Sequence, residues 1–295
     1  MMDARGGALM HRNGPGGSTA SGKPGAPTGR LVGGAERRPP EPRTGQKSPD
    51  YTDIGQVVER STVQVDGQPW ERLMVRTHVI QPGEDVIKLL ERYAGPVVRP
   101  GDWVAIGQKA VSIAQGRLVQ EKSVKPRKLA VFLSAKVKRT QFGFGLGRPA
   151  TMEVAIREAG VTRILAACAV HIAGRALRRS GDFYRVAGPR VAAIDGATAW
   201  ALPPFNEYIV LYPDQPDATC RRAAARLSTP VAIVDLNDLG GTVLGASPGI
   251  DRDLLCRVVA DNPLGQGPYC TPLVILRRVA AGNAQASPKA RASRT

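Results

Sequence analysis

Apolar and polar positions along the middle of this chain follow two rhythms, one repeating every second residue and one every three or four. Residues 56–65 and 72–80 alternate as half-buried strands do, and Asp66-Gly67 between them is a favoured hairpin turn. Residues 84–93 place Val86, Leu89, Leu90 and Tyr93 on one helical face. A strand at 102–106 ends at Gly107-Gln108-Lys109. Helices are predicted over 151–159, with Pro149 suited to its first turn, and over 163–177. A third helix covers 218–227, and Asp217 before it reads as part of a turn and an N-cap rather than as a ligand. The apolar run Val231-Ala232-Ile233-Val234 reads as a buried strand emptying into a polar loop, Asp235-Leu236-Asn237-Asp238-Leu239-Gly240-Gly241. A short helix at 254–259 and a strand at 273–276 close the pattern, and no internal repeat appears. Strands and helices interspersed in this way predict an α+β domain, a mixed central sheet with flanking helices.

Composition limits that domain to 51–280. Residues 1–50 are rich in Gly, Pro, Ser and Arg and poor in branched or aromatic side chains, too little apolar surface to offset the entropy of ordering; a disordered basic tail is expected there. Residues 281–295 read as a second loose tail. Of the net charge of +16 on 295 residues, the two tails hold +4 and +3, leaving +9 on the domain. A basic field attracts nucleotides, nucleic acids and acidic small molecules alike, so charge alone does not choose a partner. Cys168, Cys220, Cys256 and Cys270 are widely spaced and form no C-x-x-C pair, which argues against a disulfide framework or a zinc knuckle. With no signal-peptide core and no apolar run long enough to span a bilayer, a cytoplasmic protein that does not enter the membrane is the expectation.

Several segments carry candidate chemistry. The loop after residue 234 brings carboxylates, an amide and glycines to the end of a buried strand, a combination that suits a hard cation and the phosphates it carries. An ordinary turn uses the same residues, and both readings stand. Gly17-Ser18-Thr19-Ala20-Ser21-Gly22-Lys23 imitates a phosphate-binding loop, but Pro24 replaces the hydroxyl residue that would meet magnesium and removes an amide from the cradle, and no strand precedes it. Between Arg117 and Arg148, Glu121 is the only acid against a run of Lys and Arg. With few stacking rings among them, this segment suits an electrostatic funnel for a small polyanion, or a solvated basic face, better than a nucleic-acid groove. Gly143-Phe144-Gly145-Leu146-Gly147 fits a glycine turn more closely than a dinucleotide fingerprint. His171, in a helix of small residues, reads as a packed and hydrogen-bonded core residue. No nucleophile elbow and no histidine pair at ligand spacing supports a hydrolase triad or zinc catalysis.

Three further blocks change the picture when read with the acidic loop: Gly101-Asp102-Trp103 through Gly116-Arg117, then Ile194-Asp195-Gly196, then Asn262-Pro263-Leu264-Gly265-Gln266. Leu211-Tyr212-Pro213-Asp214-Gln215-Pro216-Asp217-Ala218 adds a fourth. Their order resembles the γ-glutamyl ligases that extend coenzyme F420, over most of residues 77–277. The resemblance implies a ligase in which a nucleoside triphosphate, GTP or ATP, converts a carboxylate to an acyl phosphate. The amine of an amino acid such as L-glutamate then displaces phosphate to form an amide. It further implies Mg2+ or Mn2+ at Asp195, at Asp238 supported by Asn237, and at Gln266, with nucleotide contacts at Gln108, Lys109, Gly265 and Thr271. An acidic small-molecule substrate and a homodimer are the expected partners.

The chain also departs from the family pattern. Ile113 and Gln115 stand where the family block carries a lysine and a glutamate, and the segment between the acidic loop and Gln266 is short. The resemblance therefore implies a divergent branch with a rebuilt substrate side, or a nucleotide-binding protein that has lost turnover on the same scaffold.

Overall fold

The computed structural model describes residues 53–137, 145–176, 181–198, 201–237, 240–265, 267 and 269–279. Both tails, the phosphate-loop imitation, Lys138, Arg139, Gly143, Phe144, Asp238 and Gln266 lie outside them.

Strands β1 (Val57–Val65) and β2 (Gln68–Val75) form the predicted hairpin, and the turn holds Asp66 and Gly67 at φ 52° and 74°, the pair of positive values that a tight hairpin turn requires. The second strand stops at Val75 rather than running to 80: the Arg76 amide still donates to the Gln56 carbonyl, but that of Thr77 turns away and donates to the Cys270 carbonyl. Helix α1 (Val86–Tyr93) starts at Asp85, whose carboxylate accepts from the amides of Ile87 and Lys88. Strand β3 (Trp103–Gly107) passes directly into α2 (Gln108–Ala114), and the short β4 (Leu118–Gln120) follows.

A helical lobe comes next: α3 (Lys128–Ser134), α4 (Pro149–Ala159), α5 (Val161–Ala176), α6 (Asp182–Ala187) and α7 (Pro189–Ala192). It packs around a core of its own that includes Met152, Ile156, Ile164, Val191 and Ile209. The chain returns through β5 (Tyr208–Val210), α8 (Pro216–Leu227), β6 (Val231–Asn237), β7 (Gly240–Ala246), α9 (Arg252–Val258) and β8 (Leu273–Arg278).

Six strands form a mixed sheet in the order β1-β2-β8-β3-β6-β7, and β4 pairs with β5 in a separate ribbon. The fold is α+β, as the pattern predicted. Strands β3 and β6 run parallel, while β8 is antiparallel to β3 and to β2. One face of the sheet, with Val104, Ile106, Val231 and Ile233, is covered by α1, α2 and α8. The other, with Trp103, Ala105, Ala232 and Val234, is covered by α9. Gly245 of β7 leaves no room for a side chain: a Cβ there would lie 2.5 Å from the Pro216 carbonyl carbon, so its absence sets how closely α8 approaches the sheet.

Several expectations are corrected. Strand β6 does not end at Val234 but continues through Asp235 to Asn237, with Asp235 opposite Thr242 of β7. Asp217 is no N-cap, because Pro216 already begins α8. Its carboxylate instead accepts from the Ala246 amide at 2.9 Å and from Arg252 at 2.6 Å, tying the helix start to β7 and α9. His171 is half-buried, and its buried Nδ1 has no hydrogen-bond partner among the described residues. Part of the basic segment is tied into the fold by ion pairs, Arg117 to Glu158, Lys122 to Glu207, Arg127 to Glu153 and Arg148 to Glu121, while Lys125, Lys128 and Lys136 are exposed. Helices α2, α3, α6 and α7 carry no clear apolar period in the sequence and are seen only in the structure.

Candidate active site

The parallel pair β3–β6 sets the geometry. In its register Gly107 lies beside Val234, so the residues that follow on each strand leave the same end of the sheet. On one side these are Gln108 and Lys109, opening α2, and on the other Asp235. The carboxyl ends of parallel strands are where open sheets present ligand sites. Successive side chains in a strand point to opposite faces, so Asp235 projects with Val231 and Ile233 onto the face that α2 covers.

A third strand end delivers Asp195. Its amide and carbonyl exchange hydrogen bonds with Val210 at 2.9 Å each way, extending the β5 edge. Gln108 holds this segment in place: its side chain, 2 % exposed, donates from Nε2 to the carbonyls of Ala193 at 3.0 Å and Leu211 at 3.1 Å. What its amide does here is to fix the strands that carry Asp195.

Lys109 Nζ then lies 3.3 Å from Asp195 Oδ2, both side chains about half accessible. Asp235 completes the group. Burial, and next the charge of Asp195, push its carboxyl up to about 6, with the Lys109 ammonium opposing the rise. Two carboxylates that feel each other's charge, with one ammonium between their demands, form a compact anionic site. Both offer the hard oxygen donors that magnesium and manganese prefer, and a divalent cation would relieve the repulsion that raises Asp235; the donor set fits such an ion. Among the described residues no group of three or more His, Cys, Asp or Glu side chains is gathered for a metal, so the described share of the site is this pair.

The remaining candidates flank the same sheet end. Gly107 N donates to Pro272 O at 2.8 Å, which brings the loop holding Gly265 and Thr271 over the end of β3. Gly265 has φ +73°, and the Thr271 hydroxyl donates to the Leu264 carbonyl at 3.1 Å, closing the loop on itself. Asn237 is exposed at the end of β6, opposite Gly240. Asp238 and Gln266 are beyond the described residues. The residue that sequence reasoning passed over is Asp235, treated as the first position of a loop. The signal was its odd-numbered place after Val231 and Ile233, which a longer strand turns toward α2.

His78, Ile113 and Gln115 have packing or hydrogen-bonding partners of their own. His78 uses both ring nitrogens, Nδ1 with the Tyr93 hydroxyl at 2.6 Å and Nε2 with Glu84 at 2.8 Å. Ile113, where the family block carries lysine, is buried in the sheet core. Gln115, where it carries glutamate, exchanges hydrogen bonds with the backbone of Asp214. No helix among the described residues is long and apolar enough to cross a membrane.

The mixed sheet thus gathers two carboxylates and a lysine at the carboxyl end of its parallel strand pair. The family model for F420-0:Gamma-glutamyl ligase matches residues 74–234, more than half of the chain, and the chain belongs to that family. The match includes Gln108, Lys109 and Asp195 and stops one residue before Asp235. No curated protein matches the chain.

Proposed function

We propose that this chain is a nucleotide- and divalent-cation-dependent amide ligase of the γ-glutamyl type, using Mg2+ or Mn2+ with GTP or ATP. The observation that carries the reading is the convergence of Lys109, Asp195 and Asp235 at one sheet end. In this reading Asp195 and Asp235 hold the cation, Lys109 meets the phosphates, and the loop of Gly265 and Thr271 borders the nucleotide. The bound cation supplies the positive charge that lets an anionic carboxylate approach a phosphate. A substrate carboxylate oxygen attacks the terminal phosphorus and the nucleoside diphosphate leaves. The amine nitrogen of an amino acid such as L-glutamate then attacks the acyl carbon, and orthophosphate leaves. A homodimer is part of the proposal.

The test is incubation with Mn2+, GTP or ATP, L-glutamate and a panel of small carboxylic acids, followed by mass spectrometry and an orthophosphate assay. Amide product matched by orthophosphate is the expected result. Absence of product, with a melting temperature that neither Mn2+ nor nucleotide moves, overturns the reading, since a ligand bound to the native state stabilises it.

A second reading has an observation of its own. Ile113 is packed into the core and Gln115 is spent on the Asp214 backbone, so two charges of the family block are missing. Nucleotide-dependent stabilisation without any amide product would favour a binding protein that has lost turnover.

A further inference from the structure

Lys109 occupies an electrostatically awkward position. It lies in the first turn of α2, at the positive end of the helix dipole, and that turn contains no acidic residue to offset it. Cations are normally found at the opposite end of a helix. What holds the ammonium here is Asp195, 3.3 Å away, on a segment fixed by the buried Gln108. The same ammonium reduces the repulsion between Asp195 and Asp235.

We infer that Lys109 is an internal counter-cation that pairs with Asp195 and must give it up before a divalent ion can bind there. Metal uptake is then an exchange, one ammonium out and one dication in, rather than the filling of an open site. The released ammonium lies at the sheet end where the phosphates would sit, so nucleotide gives it a new partner and favours the exchange. Cation binding is accordingly weak without nucleotide and strengthened by it, a coupling that works in both directions.

This inference rests on the cation-binding part of the ligase reading, and the test separates the two. Mn2+ is titrated without nucleotide into the wild-type chain, Lys109→Met and Lys109→Arg, with free Mn2+ followed by electron paramagnetic resonance and heat by calorimetry. Removing a unit charge a few ångströms from a dication should tighten Mn2+ binding by about tenfold. Lys109→Met should therefore bind about tenfold more tightly than wild type, and Lys109→Arg, which keeps the charge, should not. Mn2+ should also raise the melting temperature of Lys109→Met more than that of wild type. Should Lys109→Met fail to fold, Lys109→Gln replaces it, keeping a polar end at a half-exposed position.

If wild type binds Mn2+ and the neutral variant binds equally or less tightly, the exchange is overturned while cation binding stands. If no form binds Mn2+ with or without nucleotide, both fall together.

Discussion

The side-chain amide of Gln108 donates to the carbonyl of Ala193 at 3.0 Å, joining the first residue of α2 to the segment that carries Asp195 two positions later. Because Gln108 is buried and also donates to Leu211, Gln108→Leu would leave two carbonyls without a partner. A cost of about 1–3 kcal/mol is expected in urea unfolding. Mn2+ affinity should fall as well, although Gln108 is not a ligand, because Asp195 would lose its support. Unchanged affinity in a folded variant would show that the segment holds its position without this amide.

Asp235 gives a pH signature. Its carboxyl is raised to about 6, above the ordinary carboxylate range, so its ionised form costs stability in full above pH 6, and that cost declines as pH falls below 6 and is gone only below the ordinary carboxylate range. In metal-free protein, Asp235→Asn should therefore melt roughly 2–5 °C higher than wild type at pH 7.5, with the difference shrinking by pH 5. Calorimetric scans at the two pH values check both the sign and its decline. A variant that melts lower than wild type at both would contradict the assignment of Asp235 to a crowded anionic site.

Glu153 shows the opposite behaviour in the helical lobe. Burial alone would raise its carboxyl, but hydrogen bonds from Arg127 and Arg157 overcome this and hold it at about 2. Its stabilisation is complete above the unfolded carboxylate range and is lost as pH falls toward 2. Glu153→Gln should cost about 2–4 kcal/mol at pH 7, measured by urea unfolding, because two guanidinium groups lose a buried partner. The gap between variant and wild type should narrow below pH 3.

Much of the fold was legible because its longer elements are strongly periodic. The β1–β2 hairpin could be read from alternation and Asp66-Gly67, α1 from Val86, Leu89, Leu90 and Tyr93, and the sheet core from the apolar runs before Lys109 and Asp235. Helices α2, α3, α6 and α7 were not legible, since each is short and its residues are buried by neighbours that the sequence does not reveal. Asp217 was misread for a related reason: its partner, the Ala246 amide, is distant in the chain. At the site, the resemblance identified Lys109 and Asp195, which the structure brings to 3.3 Å. Asp235 was obscured because strand length, not composition, decides whether a carboxylate after an apolar run belongs to a loop or to a sheet face.

Titration of Mn2+ into the wild-type chain, Asp195→Asn and Asp235→Asn, in the presence of a non-hydrolysable nucleoside triphosphate, tests the central claim most directly. If the two carboxylates share one cation, wild type should bind Mn2+ and each variant should lose at least about tenfold in affinity, as removal of a charged donor implies. Wild-type affinity in both folded variants would contradict it.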